Sequence, residues 1–249
     1  MKLRICDKLI NYEVIGSGRP VVVLCLNHTL MKTCFERIPC LQKFQRIYLD
    51  IPGTGASSAF YQPHPSSDYL LHLLLLALKR LVSEPFYLCG YSYAGYLALG
   101  ITTYFENNIK GLFLVCPVVI AAVNQRKLAG IQQNHFTSKK RAADVWYQHL
   151  RSLDYATKEV DLHFWQSLQC QNYKYYRLSV EPALKKIQIA VPTLFLLGKR
   201  DNIVGYEDQV RLSNSFSNIA LAILNDAGHK LLLCKKHQFL FYAAHFFKH

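Results

Sequence analysis

The chain has 249 residues, with 29 Lys+Arg against 16 Asp+Glu and a formal net charge of +13. Hydrophobic residues make up 51% and charged residues 18%, which excludes a disordered or fibrous chain and provides for a large core. The longest apolar stretch, Tyr69 to Leu78, is broken by His72 and followed by Lys79-Arg80, well short of the roughly 20 residues a bilayer span needs.

Periodicity along the chain predicts alternating strands and helices, the pattern of an α/β sheet. Lys2 to Cys6 and Leu9 to Ile15 read as an opening hairpin around Asp7-Lys8, closed by Gly16-Ser17-Gly18. Val21 to Leu26 is a continuous apolar run, as expected of a strand buried on both faces. A helix is expected between Cys34 and Cys40, and a strand over Arg46 to Ile51, ended by Pro52-Gly53-Thr54-Gly55. Ser66 to Val82 is leucine-rich at helical spacing, with Ser66 or Ser67 as N-cap. Phe86 to Cys89 is a short strand, followed by a helix from Tyr93 to about Asn107 and a strand over Leu112 to Cys116.

The alternation then breaks. From Ala121 to Ala190 come helix-length segments dense in aromatics, among them Trp146 and Trp165. Beyond them, Pro192 to Leu197 resumes as a buried strand, Glu207 to Phe216 reads as a helix, Leu221 to Leu224 as a last strand and Lys235 to Phe247 as a closing helix. The expected organisation is a core of residues 1–120 and 191–249 with a helical insertion, 121–190. Cys25, Cys89 and Cys116 lie inside apolar strands and no C-x-x-C pair occurs, so buried thiols are expected, and neither disulfides nor a cysteine metal site. The basic residues are scattered and their longest run is Lys139-Lys140-Arg141; no nucleic-acid partner is expected. With no apolar signal core in Met1 to Asp7, a cytoplasmic protein is expected.

The chemistry begins at Gly90-Tyr91-Ser92-Tyr93-Ala94-Gly95. A strand runs into Gly90, a serine follows two residues later, and a helix starts at once: the nucleophile elbow, close to G-x-S-x-G. Small residues are needed at Gly90 and Ala94 because strand and helix backbones nearly touch. Ser92 would sit strained and exposed at the strand end, beside a helix N-terminus that offers N–H groups to an oxyanion. A serine hydroxyl needs a base and an orienting carboxylate. Asp201 emerges just past the strand ending at Gly198, and His229 follows the last strand in the loop Asn225-Asp226-Ala227-Gly228. The order Ser92, Asp201, His229 is the one this sheet type uses. Asp226, Asp208, His237, His245 and His249 are the weaker competitors.

These residues resemble those of α/β-hydrolase-fold serine hydrolases, and the likeness runs the whole length. Asp50-Ile51-Pro52-Gly53-Thr54-Gly55-Ala56-Ser57 is similar to the family's D-x-P-G-x-G-x-S stretch, and Gly198-Lys199-Arg200-Asp201 and Ala227-Gly228-His229 to its acid and base contexts. The flavour is that of capped, proline-iminopeptidase-like hydrolases of Gram-positive bacteria. The resemblance implies an α/β-hydrolase fold with the insertion as a cap, acyl transfer through a covalent serine intermediate, and no metal or organic cofactor. Most members follow the third strand with His-Gly. Here Leu26-Asn27 stands there, with Asn27 able to take a positive φ in place of the glycine. The oxyanion donors would then be the N–H groups of His28 and Tyr93.

The expected substrate is a small acyl compound, an ester or thioester. The glycine-rich oxyanion stretch of iminopeptidases is replaced by Leu26 to Leu30, and Glu159 and Asp161 form the only close acidic pair in the insertion. An aminopeptidase, or a hydrolase-fold protein that binds without turnover, is the alternative. The insertion holds eleven basic and five acidic residues, which suits either an anionic substrate or a solvated basic surface. Trp146, Trp165 and the tyrosines are expected to divide between lining a pocket and packing the insertion.

Overall fold

The computed structural model describes residues 1–59, 66–129 and 173–248. Eight strands form one sheet in the order β1-β2-β4-β3-β5-β6-β7-β8. The hairpin is β1 (Lys2–Ile5) and β2 (Lys8–Ile15), paired antiparallel across a turn in which Cys6 takes φ 52°. β2 joins β4 (Gln45–Asp50) antiparallel, and every later pairing is parallel. This is the mostly parallel α/β-hydrolase sheet that the motifs imply.

Parallel pairing needs a crossover, and crossovers place helices over both faces. The central strands β3 (Pro20–Cys25), β5 (Phe86–Tyr91) and β7 (Thr193–Gly198) are accordingly buried at every residue. Burying each Val or Leu there contributes about 1.5–3 kcal/mol. Helix α2 (Ser67–Leu81) packs Leu70, Leu71, Leu74, Ala77 and Leu78 inward. Ser66 is its N-cap, accepting from the Tyr69 N–H at 3.1 Å. Ser67 has other work, described below.

Three boundaries differ from the sequence reading. Helix α1 spans His28–Phe35, earlier than the stretch between Cys34 and Cys40. Asn27 caps it, its side chain accepting from the Leu30 N–H at 2.8 Å, and Pro39 instead opens a 3₁₀ turn over Pro39–Lys43. The segment Glu207 to Phe216 is helical only to Leu212 and continues as 3₁₀ through Ser215. A short helix, Leu231–Cys234, precedes the closing helix Lys236–Phe246. The other elements match within one to three residues: β6 is Ile109–Val115, β8 is Ile219–Leu224, and α3 is Tyr93–Phe105.

Most of the 121–190 insertion, with Trp146 and Trp165, lies outside the described residues. Its two ends are described and are fastened together. Glu181, buried, accepts from the Tyr96 hydroxyl at 2.5 Å and the Ala121 N–H at 2.8 Å. Arg126, also buried, donates to the carbonyls of Ile120, Ala121 and Ile203. The seven described cysteines are free thiols: Cys25, Cys34, Cys89 and Cys116 are buried, whereas Cys6 and Cys234 are exposed. Among the described residues no helix is long and apolar enough to cross a membrane.

Candidate active site

Parallel register sets the carboxyl ends of β3, β5, β6 and β7 side by side: Leu24 faces Gly90, Tyr91 faces Val115, and Val115 faces Leu196. Ligands of open α/β sheets bind beyond such strand ends. Ser92 sits there, between β5 and α3, at φ 56° and ψ −120°. A non-glycine residue in that region is strained by about 1–3 kcal/mol and needs its surroundings to hold it. They do: the Ser92 N–H donates to Val115 O at 3.0 Å, and its carbonyl accepts from Tyr96 at 3.2 Å and Val118 at 3.1 Å. Gly90 is obligatory, since a Cβ there would come within 2.7 Å of both the Ala94 carbonyl and the Gly95 nitrogen.

Asp201 and His229 converge on the same point. His229 Nδ1 lies 2.7 Å from Asp201 Oδ2, and Nε2 lies 2.9 Å from Ser92 Oγ. All three side chains are buried, with Asp201 at 0% exposure; Ser92, at 2%, is not exposed as its place at the strand end suggested, because the His229 ring lies against its hydroxyl. Asp201 Oδ1 accepts from the N–H groups of Ile203 and Val204, both at 2.9 Å. Burial opposes ionisation of Asp201, yet the His229 ring and the two N–H donors hold its carboxyl below the ordinary value. A carboxylate facing Nδ1 keeps a proton on that nitrogen and leaves Nε2 to accept from a hydroxyl.

The competitors are elsewhere. Asp226 is exposed and pairs with Lys235. Asp208 accepts from the Lys127 N–H at 2.8 Å. His237 and His245 are exposed, and His249 lies outside the described residues.

Two supports were not singled out from the sequence. Tyr91, the variable residue inside the elbow, lies tilted against the His229 ring with centroids 5.2 Å apart and donates its hydroxyl to the His229 carbonyl at 2.7 Å. Cys116 brings its thiol within 4.8 Å of the Asp201 and His229 donor atoms. A tyrosine at an "x" of the motif and a cysteine ending a strand carry no pattern of their own, so only the fold brings them in. Tyr93 is pinned through its hydroxyl, 2.6 Å from Ser67 Oγ, and Ser67 in turn donates to Tyr176 O at 2.6 Å.

The loop after β3 corrects one expectation. Asn27 does not take a positive φ; it sits at φ −132° and ψ 108°, extended, because its side chain serves as the cap of α1. No left-handed turn is therefore made at this position. His28 and Tyr93 are the first residues of α1 and α3, the helix position whose N–H lacks an intrahelical acceptor. The two helix N-termini follow adjacent strands, β3 and β5.

The His28 side chain forms a second cluster. Its Nδ1 lies 2.6 Å from Asp50 Oδ1 and its Nε2 3.0 Å from Glu13 Oε2. Asp50 Oδ2 accepts from Asn11 Nδ2 at 2.8 Å and the Ala56 N–H at 3.1 Å. Cys25 lies within 4.8 Å of the His28 and Asp50 donor atoms. In this cluster and in that of Cys116, Asp201 and His229, the imidazole nitrogens face hydrogen-bond partners at proton-sharing distances.

Gly55 explains part of the D-x-P-G-x-G-x-S stretch. It takes φ +56°, and a Cβ on it would stand 2.4 Å from Asp50 Oδ2. Gly55→Ala is expected to cost about 1–2 kcal/mol from the left-handed backbone alone, and more from displacing Asp50. Urea unfolding of the variant checks this, and an unchanged midpoint would contradict it.

Comparison with known proteins agrees with the geometry. A structure described as an alpha/beta superfamily hydrolase from Oenococcus oeni superposes with a TM-score of 0.81 at 28% identity, covering 96% of this chain and 95% of its own. An esterase from Exiguobacterium antarcticum gives 0.74 at 19% identity, covering 100% and 99%. A thermophilic esterase from Thermogutta terrifontis gives 0.71 at 18%, covering 97% and 93%. At those two identities the likeness is one of fold. No curated protein matches by sequence. The model of the alpha/beta hydrolase family matches residues 22–236, a span that takes in the elbow, the acid loop and the histidine loop together. This chain is a hydrolase that belongs to the alpha/beta hydrolase family.

Proposed function

We propose that the chain is a serine hydrolase that cleaves a small carboxylic ester or thioester through an acyl-enzyme intermediate. The observation that carries the reading is His229, buried between Asp201 at 2.7 Å and a strained Ser92 at 2.9 Å. His229 Nε2 takes the hydroxyl proton as Ser92 Oγ attacks the acyl carbon. Asp201 keeps the Nδ1 proton in place and stabilises the imidazolium. The N–H groups of Tyr93 and His28 stabilise the tetrahedral oxyanion. His229 then gives its proton to the departing alcohol or thiol. Water repeats the sequence: His229 takes its proton, hydroxide attacks the acyl carbon, and collapse releases the acid and returns the proton to Ser92.

Ester or thioester is favoured over amide because the loop Leu26 to Leu30 lacks the glycine-rich stretch of iminopeptidases, and the insertion holds few acids to grip a free amine. The insertion is read as a cap over the site, with Trp146 and Trp165 as its candidate substrate-binding residues. Its basic excess would suit an anionic acyl substrate. The cytoplasm is the expected compartment.

A fluorophosphonate probe tests the machinery, because it labels serines that have both an activating base and an oxyanion site. Labelling of the wild type, lost in Ser92→Ala and His229→Ala, is the expected result. Folded wild type that stays unlabelled would sink the mechanism. A panel of short-chain esters, thioesters and prolyl amides then separates the substrate classes.

A further inference from the structure

We propose that His28, clamped as a cation between Asp50 and Glu13, is a positioning residue that aims its own main-chain N–H at the oxyanion. This rests on the acyl-transfer reading above and adds to it the part that holds one of the two donors.

Charge follows from geometry. Both ring nitrogens of His28 face carboxylate oxygens, at 2.6 and 3.0 Å. Ionised carboxylates only accept, so both nitrogens must carry protons and the ring is an imidazolium. Each carboxylate has a second anchor, and Asp50 is buried as well while Glu13 is partly exposed. Asp50, at 1% exposure, is held through its other oxygen by Asn11 and by the Ala56 N–H. Glu13 is held through its other oxygen by Lys32 Nζ at 2.7 Å. The clamp therefore joins β2, β4 and the first turn of α1.

The need for such a clamp follows from the loop. A His-Gly turn would set the direction of the next N–H by a left-handed backbone, but Asn27 is extended at φ −132°. The N–H of His28 must take its direction from elsewhere. Two anchors are present, one on each side of that peptide unit: the Asn27 cap on Leu30 and the ring of His28 on the sheet. A tether that merely fastens α1 would need only one of the two carboxylates.

The groups that face the ring are Asp50 and Tyr48 of β4, Glu13 of β2 and Cys25 of β3, with Lys32 one step further on Glu13. The Asp50 hydrogen bond is the largest influence, and with Glu13 it outweighs burial and raises the pKa of His28 above its ordinary value of 6.5. For a group raised in this way the clamp is complete below 6.5 and is lost as pH climbs through the raised value. Once the proton leaves, one of the two bonds must fail.

The experiment measures kcat and KM on a short-chain ester against pH, for wild type, His28→Gln, His28→Arg and Glu13→Gln. Wild type is expected to lose kcat on the alkaline side with KM little changed. His28→Gln should lower kcat about 10-fold or more at neutral pH, short of the 100- to 1000-fold lost with a whole oxyanion donor. His28→Arg, a cation with several N–H donors, should recover part of that loss and flatten the alkaline decline. Glu13→Gln should shift the decline to lower pH.

Wild-type kcat and an unaltered profile in folded His28→Gln would overturn the proposal and leave the serine mechanism standing. Should His28→Gln fail to fold, an alkaline limb that stays in place in Glu13→Gln would overturn it equally. Absence of Ser92-dependent turnover in the wild type would overturn both readings.

Discussion

Ser92→Ala should reduce ester turnover by about 10⁶-fold, the scale seen when a nucleophile is removed from a serine triad, while leaving the protein folded. The fold survives because the backbone of residue 92 does the structural work. Its N–H bonds Val115, and its carbonyl accepts from Tyr96 and Val118. Alanine pays the same strain at φ 56° as serine does. His229→Ala should cost nearly as much rate, and the double variant little more, because the groups act as one unit and their losses do not add. His229→Ala differs in stability, since it strands the buried Asp201 carboxylate. Progress curves over the ester panel, read beside thermal unfolding of each variant, decide the matter. A folded Ser92→Ala protein that keeps more than a few per cent of the wild-type rate would rule out Ser92 as nucleophile.

The parts legible in the sequence were those in which one residue type answers one backbone demand. Gly90 had to be glycine because the Ala94 carbonyl would stand 2.7 Å from its Cβ, and Ser92, Asp201 and His229 each follow a strand that periodicity reveals. The buried runs of β3, β5 and β7 were equally plain, having no polar face to confuse the period. The start of α1 was not legible. Asn27 could serve as a left-handed residue or as a helix cap, and only the pairing of its side chain with the Leu30 N–H shows which demand wins. The His28 clamp was hidden for a different reason. Its three members come from β2, β4 and α1, and the antiparallel register of β2 on β4, which sets Tyr12 opposite Leu49 and Glu13 opposite Tyr48, is what brings them together. Long-range register leaves no local spacing to read. The same holds for Glu181 and Tyr96, 85 positions apart in the chain.

Asp201→Asn is expected to keep the fold and lose about 10⁴-fold in kcat, the scale known when a triad aspartate becomes asparagine. The side-chain oxygen of asparagine can still accept from Ile203 and Val204, which now hold Asp201 Oδ1 at 2.9 Å. Its NH₂ must then face His229 Nδ1, where a carboxylate oxygen lies at 2.7 Å. A donor facing Nδ1 forces that nitrogen to accept, so the ring proton moves to Nε2 and Ser92 loses its base. Asp201→Ala lacks the acceptor and leaves two buried N–H groups unpaired, at about 1–3 kcal/mol each; it should be the less stable of the two variants. Stability against pH supplies a second reading. Despite burial, the folded Asp201 carboxyl lies below its ordinary 3.8, held there by His229 and the two N–H donors. A group depressed in this way stabilises the fold above its unfolded value, and that contribution is lost as pH falls through the folded one. Below pH 3.8 the wild type should therefore lose a stabilising contribution that Asp201→Asn never had, and urea unfolding across the acid range measures it. A folded Asp201→Asn protein with wild-type kcat would show that this carboxylate does not orient the base.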